Sequence, residues 1–168
     1  KEWKKTMLIL LDKAKNFPSI EGFYKKMQEQ EDWEVLLMPI PYFTRKGSGE
    51  FSEEFIDTEA FPKEYSYVDY KSFAFDTVLP DCIVMNSPYD SCNMVYSIDP
   101  FFYSEKLKQY TNKLVYIPWF VTDEIDPKNP EDGKAFYNMR YYVTVPGIMH
   151  ADLTIVQSKE MRKAYSAK

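Results

Sequence analysis

Cys82-Ile83-Val84-Met85-Asn86-Ser87-Pro88-Tyr89-Asp90 and, further along, Leu114-Val115-Tyr116-Ile117-Pro118-Trp119-Phe120 decide how this chain folds. Each begins as an apolar run of buried-strand length and breaks in a turn-forming cluster. Between them Asp99-Pro100 carries the marks of a helix start, an Asp to cap and a proline preset for the first turn. Tyr103, Leu107 and Tyr110 then fall at i, i+4 and i+7 and give that helix one apolar face. Strand, crossover helix, strand is a parallel βαβ unit. Such units take ligands beyond the carboxyl ends of their strands, where neighbouring crossovers diverge. The turns at 86–90 and 118–120 are therefore expected on one rim.

Working outward, Met7 to Leu11 has the continuous apolar character of a central parallel strand, and Pro18-Ser19 opens a helix with Ile20, Phe23, Tyr24 and Met27 on one face. The loop between them, residues 12–17, contains neither GxGxxG nor GxxxxGK, which disfavours a dinucleotide-dependent dehydrogenase or a P-loop NTPase. Lys13 and Lys15 stand near the strand's carboxyl edge, where an anionic ligand could meet them. Glu34 to Met38 is the next strand. Tyr42-Phe43 and Phe51 flank Gly47 and Gly49 as a hairpin. Ser66 to Asp69 reads as a short edge strand, Tyr70 to Phe75 as a short helix, and Ala135 to Val145 as a helix stopped by Pro146-Gly147. Leu153 to Val156 is the last strand, and Ser158 caps a terminal helix. The sum is α/β: a single Rossmann-like three-layer domain with a mostly parallel sheet of about six strands in order 3-2-1-4-5-6, and an inserted hairpin or loop around 42–62.

Composition narrows the function classes. The chain has 168 residues, 45% hydrophobic and 28% charged, enough for a true core. Aromatic residues make up 17%, with 14 Tyr, so either a wet-edged core or a ring-bearing or sugar-like ligand is expected. A net charge of −5 disfavours nucleic-acid binding, which must neutralise many phosphates. Cys82 and Cys92 lack CxxC spacing and there is one His, so no metal site is expected, and both thiols are expected reduced. The carboxylates of 122–133 match no oxygen-ligand loop. No apolar run is long enough to span a bilayer. There is no GxSxG elbow, and His150 stands alone before the last strand. Asp90, on the turn after a central strand, is the candidate base or hydroxyl ligand. Asn86, Ser87 and Asn93 supply neutral polar contacts beside it.

The string Asn86-Ser87-Pro88-Tyr89-Asp90 with Asn93, then Asp99-Pro100-Phe101-Phe102-Tyr103-Ser104-Glu105-Lys106-Leu107-Lys108, then Leu114 to Phe120, resembles the N-terminal half of bacterial CDP-glycerol glycerophosphotransferase-like proteins of the teichoic-acid type. Pro39-Ile40-Pro41-Tyr42 upstream and Pro146-Gly147-Ile148, Ala151-Asp152 and Val156-Gln157-Ser158 downstream continue the likeness. It implies a two-domain GT-B transferase whose N-terminal domain faces the acceptor, with the nucleotide-activated donor, CDP-glycerol or a nucleotide sugar, held mainly by a following domain. The acceptor would be polymer- or lipid-linked, in cell-surface polymer synthesis. The protein would be cytoplasmic, with peripheral membrane contact and no cofactor. The chain lacks an initiator Met, and we expect a segment of a longer protein, inactive when isolated. The substrate-binding residues on this reading are Asn86, Ser87, Tyr89, Asp90, Asn93, Trp119 and Ser158. Two positions depart from the family pattern: Asn86 and Asp99 stand where related sequences often carry His, which leaves the base unassigned. The alternative is a non-catalytic Rossmann-like module that binds a sugar, polyol or partner loop on the same rim.

Overall fold

The structure, a computed structural model, describes residues 3–168; Lys1 and Glu2 of the opening stretch lie outside the described residues. Strand β1 (Lys5–Leu11) passes through a single 3-10 turn into α1 (Pro18–Gln28) and returns as β2 (Trp33–Pro39), parallel to β1 over its whole length. A hairpin of β3 (Tyr42–Arg45) and β4 (Phe51–Phe55) and a short helix α2 (Phe75–Val78) lead to β5 (Cys82–Met85). Then come β6 (Tyr96–Ile98), α3 (Ser104–Leu107) and β7 (Leu114–Tyr116). The chain ends with α4 (Gly133–Asn138), α5 (Arg140–Val143), α6 (Pro146–His150), β8 (Leu153–Thr154) and α7 (Lys159–Ser166).

The main sheet runs β2-β1-β5-β7-β8 and is parallel throughout. Successive side chains of a strand point to opposite faces, and here both faces are covered. Met7, Ile9 and Leu11 meet Phe17, Ile20 and Tyr24 on the α1 side. Leu8 and Leu10 meet Ile83, Met85, Leu107 and Tyr116 on the α3 side. That two-sided burial is why β1 reads as an unbroken apolar run. Leu8 and Ile9 are wholly buried, and truncating either to Ala should cost about 2–5 kcal/mol. A third, smaller core of Ile125, Met139, Val143, Met161 and Ala164 joins α5 to α7.

The three-layer Rossmann-like α/β class is as expected, and the departures have local causes. The strand expected at 66–69 shrinks to one parallel bridge, Tyr67 with Leu37, on the outer edge of β2, because Asp69 turns the chain away by accepting from the Lys71 amide at 3.0 Å. Counted with that bridge, the order is the 3-2-1-4-5-6 expected. The helix expected over 70–75 begins only at Phe75. The helix expected from Asp99 is broken. Asp99 caps a 3-10 turn over 100–102, Tyr103 is extended, and α3 then runs for a single turn. Tyr103 is drawn off by Ser97, whose Oγ lies 2.7 Å from its hydroxyl, and the Ser104 amide donates to Asp90 at 3.0 Å. Tertiary bonds override the apolar spacing there. The 42–62 hairpin forms, with Phe43 and Phe51 stacked at 4.8 Å, but it also recruits β6 as a third strand that sequence reading did not foresee.

Candidate functional site

The crossover from β1 goes through α1 to β2 on one side, and that from β5 goes through α3 to β7 on the other. Connections therefore diverge between β1 and β5, the position at which open α/β sheets bind ligands. The residues that follow these strands are Asp12 and Lys13 on one and Asn86 and Ser87 on the other. Asp12 is 2% exposed. Tyr96, delivered by the unforeseen β6, bonds both strands' ends: its hydroxyl donates to Asp12 Oδ2 at 3.3 Å and lies 3.0 Å from Ser87 Oγ. The Lys13 ammonium sits 3.6 Å from the Tyr96 ring centroid and 5.3 Å from that of Tyr42.

Burial pushes the Asp12 carboxyl up, against the opposing pull of the Lys13 amide and the Lys13 charge. Burial also pushes Lys13 down, with Asp12 opposing. The Tyr42 phenol is pushed up to about 12 by burial and by its hydrogen bond to Asp57, at 3.0 Å. Asp57 in turn accepts from the Ala14 amide at 2.8 Å, which fastens the hairpin segment to the loop after β1. Asp12, Asn86 and Ser87 line a cavity of about 10 Å³, room for one water-sized group. Asp12 Oδ1 is buried and lacks a partner among the described residues.

Asn86 is bonded to the scaffold through its side-chain nitrogen. Its amide donates to the Ile117 carbonyl at 2.9 Å and to Ser19 Oγ at 3.2 Å, tying the exits of β5 and β7 to the start of α1. Tyr89 is half-buried, and burial raises its phenol. Asn93 Oδ1 accepts from the amides of Val95 and Tyr96 and so shapes the turn into β6. Trp119, 40% exposed, stands on the rim after β7 with its ring edge to Phe120. Ser158 caps α7 through the Met161 amide at 3.0 Å and donates to Glu124 at 2.7 Å. That bond, helped by Gln157, holds the Glu124 carboxyl below its ordinary value. The expected site residues thus divide: Asn86 and Ser87 at the strand divergence, Asp90 on the α3 side, Trp119 and Ser158 beside β7 and α7.

Asp90 sits in the left-handed region, φ 49°, uncommon for a residue other than glycine. Its Oδ2 accepts from the Ser104 amide at 3.0 Å and from Ser104 Oγ at 2.5 Å. Ser104 Oγ lies 2.6 Å from His150 Nδ1. Burial raises the Asp90 carboxyl, while the two Ser104 bonds and then His150 oppose the rise. Asp90 Oδ1 is buried with no partner among the described residues. The sequence offered no sign of Ser104, which falls inside the helix expected from Asp99. It did offer one for Asp12, a carboxylate placed directly after the central strand. Among the described residues no cluster of His, Cys, Asp and Glu is arranged to hold a metal ion, and no helix is long and apolar enough to cross a membrane.

Comparison of the chain with family models, with curated proteins and with solved structures returned no match.

Proposed function

We propose that the chain is the acceptor-side domain of a glycerophosphotransferase-like or glycosyltransferase-like enzyme that uses a nucleotide-activated donor, CDP-glycerol or a nucleotide sugar, in cell-surface polymer synthesis. The observation that carries this reading is the polar crevice between β1 and β5, where Asp12, Lys13, Ser87 and Tyr96 meet at the divergence of the crossovers. The half-buried Lys13 ammonium offers a positive charge to a phosphate-bearing acceptor, and Asp12 and Ser87 offer bonds to its hydroxyls. The likeness of 82–120 to the glycerophosphotransferase-like proteins supports the same reading. On it, a second domain holds the donor nucleotide, and a polymer- or lipid-linked acceptor reaches the rim from a membrane surface.

The test is to assay the natural full-length protein for CMP release from CDP-glycerol with a membrane-derived acceptor. Acceptor-dependent release is the expected result. No release from CDP-glycerol, together with no nucleoside diphosphate release from nucleotide sugars, would overturn the transferase reading. Saturable polyol binding without turnover would replace it with a binding module.

A further inference from the structure

We propose that the aromatic groove between α2 and the 3-10 turn ahead of α3 is a second binding site, one that takes a neutral sugar ring. The groove lies on the α3 side of the sheet and offers about 400 Å³ of space, the size of a small-molecule site. Phe102 backs it and also lines the small cavity behind Asp12, so the groove adjoins the crevice without being part of it. The inference does not use the transferase reading.

Two aspartates shape the walls. Asp69 accepts from the Lys71 amide at 3.0 Å, and its carbonyl accepts from the Ser72 amide at 3.2 Å. The turn so made brings the Phe73 ring to 4.8 Å from that of Phe75. On the other wall Asp99 caps the 3-10 turn through the Phe101 amide at 2.8 Å, and its own amide donates to the Pro41 carbonyl at 2.9 Å. Phe102 is buried by that turn, whereas Phe101 is left 37% exposed, 5.1 Å from Phe75 and stacked on Tyr110 at 5.7 Å.

Charge decides the ligand class. Asp76 and Asp99 line the groove and oppose an anion. Against a cation, the places over the rings are already filled. The Lys71 ammonium lies 5.7 Å from the Tyr70 centroid, and that of Lys106 lies 5.9 Å and 5.4 Å from those of Phe101 and Tyr110. A neutral ligand is left. Phe73, Phe101 and Phe102 meet Phe75 at angles between 64° and 69°. Such crossed rings offer faces and edges at several inclinations, which suit a puckered ring with C–H groups on both sides better than a flat heterocycle that needs parallel plates. Bonds for its hydroxyls stand at the rim: Asp99 keeps Oδ2, and the Asp76 carboxylate, the Lys71 ammonium and the Tyr110 hydroxyl bond to no other described residue.

Saturation-transfer NMR of the natural full-length protein with the methyl α- and β-glycosides of glucose, galactose, mannose and N-acetylglucosamine tests this. Saturable transfer to the ring C–H protons of at least one glycoside is expected, and none to any of them would overturn the proposal. Glucosamine and glucose 6-phosphate should each bind more weakly than the best glycoside; tighter binding of either, or of indole, would overturn the neutral-sugar assignment. Phe101→Ala should weaken the best glycoside about fivefold. Asp76→Ala, at an exposed residue, should weaken it about threefold with the urea midpoint kept. Should Phe101→Ala not fold, Asp76→Ala decides alone. An affinity unchanged in these variants overturns the groove, and its loss in Lys13→Ala would then place the sugar in the crevice. The readout is binding, so it holds whether or not CDP-glycerol is turned over.

Discussion

The Gly147 amide donates to the Pro88 carbonyl at 2.7 Å, and a Cβ on residue 147 would stand 2.5 Å from Pro88 Cα. Two segments far apart in sequence, the turn after β5 and the start of α6, therefore meet backbone to backbone. The Pro146-Gly147 pair that looks like a helix stop in the sequence instead starts α6 and sets the depth at which it seats. His150, one turn on, reaches Ser104 only because of that seating.

Gly147→Ala should destabilise the protein by about 3 kcal/mol, the upper end for overpacking, because the atoms in the way are backbone and cannot swing aside. The urea midpoint should drop with an unchanged slope. A midpoint equal to wild type would mean that α6 does not press on Pro88.

Asn86→Ala strips the Ile117 carbonyl and Ser19 Oγ of a donor. Leaving a buried acceptor unpaired costs about 1–3 kcal/mol. The loss should appear in thermal and urea unfolding of the chain without any ligand, which separates a scaffold role for Asn86 from an acceptor-binding one.

Asp12 makes stability depend on pH. Burial raises its folded carboxyl above the ordinary 3.8, so the folded chain holds that proton to higher pH than the unfolded chain does. Its contribution is therefore fully present below the ordinary carboxylate value and is lost as pH rises through the folded value. Asp12→Asn should gain stability over wild type progressively as a urea-midpoint series moves from pH 3 toward pH 7. A constant difference across the series would refute the assignment.

The two thiols should differ sharply. Cys92 is exposed, whereas Cys82 lies inside β5 with its thiol pushed up to about 11 by burial. At pH 8 a disulfide reagent should take one fast equivalent, at Cys92. The second should react only at the rate of opening, and Cys92→Ser should abolish the fast phase.

The α/β class was legible because each long apolar run marks a strand covered on both faces, and because Ser158 and Pro18 mark helix starts that form as read. The third strand was overread, since the spacing of 66–69 cannot reveal that Asp69 will turn the chain after one bridge. The helix from Asp99 was overread for a related reason: its apolar spacing is genuine, but Ser97 and Asp90 compete for Tyr103 and Ser104. Of the candidate site, Asn86, Ser87 and Asp90 were correctly placed after β5. That Asn86 is occupied by Ile117, and that Asp90 faces inward, depended on partners 31 and 14 residues away.

Taken alone, the sequence determined the layered parallel architecture, because hydrophobic periodicity and capping act over a few residues and need no knowledge of distant neighbours. Only the tertiary structure decided which polar groups share a site. Asp12 meets Tyr96 across 84 residues, and Ser104 meets His150 across 46. Hydrogen bonds act over about 3 Å, so contacts like these exist only once β6 has paired and α6 has seated on Pro88.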